Sequence, residues 1–284
     1  MKMKRLMISV LMISFLGIFA QENQKKEEQN WKTSGAIGLT LAQASFSNWV
    51  KGGENSLAAN ALLNYDMNYK KGKNVWDNKI IMAYGLSEVA GVTKKTDDRF
   101  ELNSVYGYQA GKNWFYSAFG NFKTQFTDGY DYSTNPKTVT SRAFAPAYLS
   151  FGPGMLWKKS DNLYVNFAPA TTKMTFVTDT ALSNAGAYGV DPGDTFRYEL
   201  GMAINGLYKF DLMENISMEN ILGLYSNYLE NPQNIDVSYQ MNMVMKVNKY
   251  ISANLGLHFL YDDDALKDLQ FKEVFGLGFN AIFK

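Results

Sequence analysis

Cysteine is absent from all 284 residues, which excludes both a disulfide framework and a lipid-modified N-terminal cysteine. Charge of one sign is missing too: 28 Lys and Arg against 27 Asp and Glu leave a net charge of +1. Such balance gives no basis for nucleic-acid binding or a polybasic membrane grip. Beyond residue 20 there is no long apolar run, so a helical membrane protein is excluded. No Pro- or Ser-rich linker divides the chain, which favours one large domain. Histidine occurs once, at His258.

What is present begins with Lys2, Lys4 and Arg5, an apolar run over 6–20, and the polar stretch QENQKKEEQN. A basic start, about 15 apolar residues and a small residue at the end describe a secretory signal peptide. The run is short for a transmembrane anchor, which needs about 20 apolar residues. Cleavage is expected after Ala20, followed by a flexible polar segment over 21–30 and one barrel domain over 31–284.

Period-two alternation dominates the rest. Over 56–70 the odd positions read Leu57, Ala59, Ala61, Leu63, Tyr65, Met67, Tyr69, while the even ones include Asn60, Asn64, Asp66 and Asn68. A helix, with its 3.6 repeat, would mix the two classes. Twelve such segments are expected, at 32–43, 56–70, 74–87, 98–110, 114–126, 148–158, 162–170, 196–209, 214–228, 236–248, 250–261 and 270–284. Tight polar turns, such as Lys71-Gly72-Lys73 and Gly111-Lys112-Asn113, alternate with longer connections at 45–55, 88–97, 127–147, 171–195, 229–235 and 262–269.

An even strand number with short turns at one end and long loops at the other is the outer-membrane barrel pattern. The fold class expected is therefore an all-β, transmembrane, up-and-down antiparallel barrel of about 12 strands, with short periplasmic turns and long external loops. Strand number also argues for which face is outside. About eight strands give an interior that side chains can fill. A wider barrel is expected to have a polar, wet lining and an apolar face toward lipid. Tyr69, Trp76, Tyr108, Trp114, Tyr116, Trp157 and Tyr208 all lie beside the short turns, where an interfacial girdle belongs. In the last segment Phe275, Leu277, Phe279, Ala281 and Phe283 form one apolar face, separated by Gly276, Gly278 and Asn280. Such an aromatic-ended strand looks like the signal read by the barrel-insertion machinery, with Lys284 as a departure from the commonest form.

Trp31, Gln43, Ser47-Asn48-Trp49, Gly52-Gly53-Glu54-Asn55-Ser56 and Trp76-Asp77-Asn78 together resemble a domain-of-unknown-function family of outer-membrane barrels found in Bacteroidetes. Further matching residues are Lys123-Thr124-Gln125-Phe126, Gly129-Tyr130, Ala145-Pro146, Thr172-Lys173, Gly186-Ala187-Tyr188-Gly189-Val190, Arg197 and Glu199-Leu200-Gly201. The resemblance implies compartment (the cell outer membrane) and fold, and brings no activity with it.

By parity the inward, pore-lining set is Asp66, Asp77, Lys79, Arg99, Glu101, Lys123, Arg197, Glu199, Glu219, Lys246 and His258. Two readings of it are open. One is a water-filled pore whose charge rings tune solute choice. The other is a salt-bridge lattice bracing the barrel, favoured because burying unpaired charge is costly. Outer-membrane phospholipases share the strand number but use a lipid-facing histidine; His258 has inward parity and no evident hydroxyl partner. No catalytic residue, metal or cofactor is expected, and Asp262-Asp263-Asp264 reads as a solvated external loop.

The first external connection carries Trp49, expected against the rim or in the barrel mouth, with Glu54 and Asn55 as candidate mouth contacts or as cap and turn hydrogen-bonders. Over 179–186 the pattern Asp-Thr-Ala-Leu-Ser-Asn-Ala-Gly predicts an N-capped helical turn in a loop that could constrict the lumen. Pro153 between two glycines predicts a bulge. Two function classes follow: a channel for small polar solutes, or a non-transport scaffold that holds other envelope proteins. The expected partners are outer-membrane lipid, the insertion machinery, a small polar solute and envelope proteins.

Overall fold

The computed structural model describes residues 30–45, 54–264 and 266–283. The signal-peptide segment, the polar segment up to residue 29, Trp49 with Gly52-Gly53, and Lys284 lie outside these residues. Twelve antiparallel strands close into a barrel. In chain order they are β1 (Trp31–Ala44), β2 (Ser56–Lys71), β3 (Asn74–Val89), β4 (Val92–Gln109) and β5 (Trp114–Thr124). A small external hairpin, β6 (Gly129–Asp131) with β7 (Thr138–Ser141), follows. The ring then continues with β8 (Ala147–Ser160), β9 (Leu163–Phe176), β10 (Phe196–Met213), β11 (Ile216–Asn227), β12 (Asp236–Lys246), β13 (Ile251–Asp262) and β14 (Leu266–Phe283). Pairing of β1 with β14 removes the last free edge.

Two expected loops prove to be strand. β3 and β4 continue to Val89 and Val92, so 88–97 is a long hairpin reversed at Ala90-Gly91, both at positive φ. That left-handed pair suits the twist of the flanking strands. Likewise, β14 begins at Leu266, and the 262–269 connection shrinks to a tight turn. β9 runs on to Phe176, which shortens the loop expected at 171–195.

The bulge foreseen at Pro153 is present at that height, but the extra residue is in the partner strand. The β8–β9 register shifts between Phe151 and Met155, and the β9–β10 register between Gly201 and Ala203, while β5–β8 runs evenly through Pro153. The common element is 168–171 in β9, around Pro169. Gly152 and Gly154 face this bulge so closely that an added Cβ would overlap the carbonyls of Ala170 and Phe167.

The outward face carries a belt of exposed apolar side chains, among them Ile37, Leu57, Phe151, Phe167, Phe275, Leu277 and Phe279. Trp76, Tyr108, Trp114, Tyr116 and Tyr208 are exposed beside the short turns; Tyr69 and Trp157 are half-buried there. An exposed apolar belt bordered by aromatics is stable only in lipid, so the barrel spans a membrane.

Candidate functional site

The lumen is the candidate site, and its two halves differ. On the side of β3–β5 and β8–β10, Val75, Val105, Phe115, Phe119, Leu156, Ala168 and Ala203 form a buried apolar cluster, with Tyr164 and Tyr225 against it. This corrects the expectation of a polar, wet lining throughout. The expectation assumed a round section. A ring of twelve strands spaced about 4.8 Å and tilted about 40° would be roughly 24 Å across. Ion pairs join strands that are diametrically opposite, and lysine, glutamate and one hydrogen bond together reach at most about 14 Å. The section is therefore flattened, and apolar side chains fill one side of it.

Those diametric pairs form a ring of four. Lys79 on β3 lies beside Asp66 on β2, and Lys209 on β10 beside Glu219 on β11, each as a cross-strand pair. Across the lumen Lys79 Nζ reaches Glu219 Oε2 at 2.7 Å, and Lys209 Nζ reaches Asp66 Oδ2 at 2.7 Å. The adjacent contacts are 3.3 Å for Lys79–Asp66 and 3.1 Å for Lys209–Glu219. β3 and β11, like β2 and β10, are six places apart in the ring of twelve. Every lysine meets both carboxylates, so no charge in the ring is left unanswered.

A second crossing lies four positions further along β3, where Ala83 pairs with Arg99, about 13 Å along the strand. There Arg99 Nη1 donates to Gln240 Oε1 at 2.6 Å, again joining opposite strands, β4 and β12. Buried Glu101 accepts from Asn103 at 2.9 Å and has Lys123 at 3.9 Å. Lys272 on β14 pairs with Asp97 at 2.8 Å. Near the short-turn end, Lys158 joins Asp77 at 2.6 Å and Asp161 at 2.9 Å.

At the external mouth Lys173 is set among Glu199, Asp236 and Asp262, with Asp236 nearest at 2.9 Å. Arg197 contacts Glu199, Glu230 and Asp264, the last at 2.8 Å. The aspartates over 262–264 are thus not a free solvated run. Asp262 and Asp264 hold the two cations, and Asp263 accepts from Asn234 at 2.6 Å. Burial pushes the Asp264 carboxyl above its usual pKa, against the downward pull of Arg197.

The loop after β9 folds over this mouth. Helix α1 (Thr180–Asn184) is capped by Asp179, whose Oδ1 accepts from Leu182 N at 3.0 Å. Val177, Leu182 and Val190 pack on Ala145 of the neighbouring loop as a second buried cluster. Arg142 ties the two loops through Asp179 at 2.8 Å and Asp128 at 3.0 Å, and Tyr188 OH donates to Thr140 O at 2.6 Å. Burial in this layer pushes the Tyr188 hydroxyl pKa upward. The expected helical turn is present, and it packs against the next loop as a lid.

Lys246 and Glu54 stand apart from these networks. Lys246 is exposed at the end of β12. Glu54 and Asn55 are exposed just before β2, where the Asn55 carbonyl accepts from Ala90 N at 3.2 Å. His258 Nε2 lies 3.3 Å from Ser238 Oγ, a hydroxyl the sequence did not place there. Lys158, Lys173, Lys209 and Lys272 were not among the expected lining residues; inward parity was readable for Lys158, Lys209 and Lys272, whereas Lys173 fell in an expected loop that proves to be strand.

The other half of the lumen holds a cavity of about 140 Å³ between β12–β14, β1 and β2. Its walls include Asn60, Asn64, Asn242, Asn254, Asn280 and Gln240, with Arg99, His258 and Lys272 toward the external side. Small residues contribute to the space: β1 and β13 turn Ala36, Gly38 and Gly256 toward it.

The family described as "Protein of unknown function (DUF3078)" matches residues 41–130. The resembling residues beyond 130 fall outside that match. No curated protein matches. Among solved structures, the COG4313 outer membrane channel from Pseudomonas putida F1 is 10% identical at a TM-score of 0.38, covering 91% of this chain and 99% of that one. The translocator domain of autotransporter NalP from Neisseria meningitidis is 9% identical at 0.32, covering 89% and 87%. Salmonella typhi OmpF, in complex with daunomycin, is 8% identical at 0.29, covering 89% and 97%. Likeness at these scores carries no functional implication.

Proposed function

We propose that the protein is a narrow outer-membrane channel for small polar solutes, with its passage along the β12–β14, β1 and β2 wall. Export by the N-terminal signal segment and a Bacteroidetes-type outer membrane belong to the same reading, through the resemblance of the Trp49 to Ser56 region. One observation carries it: half of the lumen is packed with apolar side chains, while the other half keeps a cavity of about 140 Å³ whose wall combines amides with small and apolar residues. A barrel serving only as a membrane plug has no need of inward glycines and asparagines that prevent filling. The reading is of a non-catalytic protein, since His258 has a serine neighbour but no acidic hydrogen-bond partner among the described residues.

A second reading, a scaffold for envelope proteins, is favoured by the folded lid and the ion pairs that cross the lumen. Planar-bilayer recording of the refolded barrel separates the two. A channel gives discrete, small conductance steps, far below those of the wide porin barrels. A pure, folded barrel that inserts and passes no current sinks the channel and leaves the scaffold.

A further inference from the structure

The cations of the lumen differ in how they are answered. Lys79, Lys158, Lys173, Arg197, Lys209 and Lys272 each have a carboxylate within 4 Å. Arg99 is the exception among the described lumenal cations in the networks above. Its one hydrogen-bond partner is the neutral amide oxygen of Gln240, and its Nε is buried with no partner at all. A guanidinium cannot shed its proton to escape this position. Arg99 is half-buried at the cavity wall and its hydrogen bond goes to a neutral amide, so an anion arriving there gains a charge-assisted pair.

The surroundings favour the same sign. Around the external side of the cavity stand Arg99, Lys272 and Asp97, two positive charges and one negative. Nearby Glu101, which also feels the charge of Arg99, accepts from Asn103 and Gln240 and has Lys123 at 3.9 Å. The rest of the wall mixes amides with apolar side chains such as Leu62, Met243 and Leu257, and it retains hydrogen-bonding capacity: Asn64 Oδ1 is buried without a partner. A forked cation above a set of amides matches a molecule with a carboxylate at one end and hydroxyls along its length.

We propose that this cavity is a binding site for a small hydroxylated carboxylate, with Arg99 receiving the carboxylate and the asparagines of β2, β12 and β13 the hydroxyls. The proposal rests on the channel reading for its biological sense, but its test does not require conduction.

Gluconate and sorbitol form the probe pair: the same six-carbon polyol chain, with and without the carboxylate. Titration calorimetry on the refolded, detergent-solubilised full barrel is expected to show gluconate binding at least about tenfold tighter than sorbitol, the scale of one charge-assisted pair. Arg99→Gln, which keeps a donor toward Gln240 but removes the charge, is expected to bring gluconate down to the sorbitol level. Arg99→Lys, with charge but no fork, is expected to fall between. Equal binding of the two probes to wild type, absence of gluconate binding, or an Arg99→Gln barrel that binds gluconate normally overturns the proposal. If Arg99→Gln does not refold, the wild-type comparison of the two probes decides alone. The channel reading fails separately, on absent conductance; gluconate bound by a non-conducting barrel upholds the site and removes the pore.

Discussion

Lys79 is the most exacting position to perturb, because it both braces the barrel and bars the lumen. Lys79→Met keeps an unbranched side chain of similar length and removes only the charge. Asp66 and Glu219 would then share the single remaining cation, Lys209, at 2.7 and 3.1 Å. Lys79 and Glu219 side chains are 7% and 15% exposed, so solvent repays little of the loss. Breaking a buried pair by removing one partner costs about 3–5 kcal/mol, and the surviving lysine places this case near 3. The companion change Glu219→Gln in the Lys79→Met background leaves Asp66 with Lys209 as a simple neutralised pair. It should recover much of that loss, giving a coupling of about 1–3 kcal/mol in the double-mutant cycle. The assay is denaturant unfolding of the barrel in lipid vesicles, followed by tryptophan fluorescence, with single-channel recording in parallel. Removing the crossbar should also raise conductance. A Lys79→Met barrel as stable as wild type within about 0.5 kcal/mol would show that the ring of four is ornamental, and the bracing argument would be wrong.

Other consequences are open to simpler tests. Gly154→Ala should lower stability by about 1–3 kcal/mol in the same unfolding assay, because its methyl group meets the Phe167 carbonyl in the β9 bulge; Gly120→Ala on β5, which faces open space, is the contrast. Phe275→Arg on the lipid-facing side of β14 should cost about 2–4 kcal/mol and slow insertion into vesicles, whereas a lumenal charge at Asn254 should cost less. The lid over 177–195 should resist protease on intact vesicles, and Leu182→Ser should expose it to cleavage while the barrel stays folded. Cleavage of the wild-type loop at the rate of an unfolded tail would refute its packing.

The strand count, the meander and the outward apolar face were legible because each depends on period-two alternation, a property of single strands. The helical turn at Asp179 was legible for a similar reason, since an N-cap is local chemistry. The partners of Lys79 were not. Its contact with Glu219 spans 140 residues and depends on which strands end up opposite after closure, and on the flattening of the ring. Alternation also missed the extent of β3–β4, where Glu88, Lys94 and Lys95 look like loop residues and are instead exposed or rim positions of a hairpin standing above the membrane. The cavity had a visible sign that parity did use without drawing the conclusion: Asn280 among the aromatics of β14 is on the inward side of its wall. Its apolar counterpart was hidden, because Val75, Val105 and Phe115 share inward parity with charged residues and cluster only after folding.

The seam of the ring falls on the hollow side. β1 meets β14 over six residue pairs, Gly35 to Thr40, whereas β1 meets β2 over fourteen. Behind that seam lies the cavity, and among the described residues no buried apolar cluster braces it from within. The strands that share the packed cluster, β3 to β10, are continuous in sequence apart from the external hairpin, so they can hold together as a curved sheet while the first and last strands are still apart. The barrel is therefore unevenly held: its back by strand pairing and a shared apolar cluster, its front by strand pairing and amide hydrogen bonds.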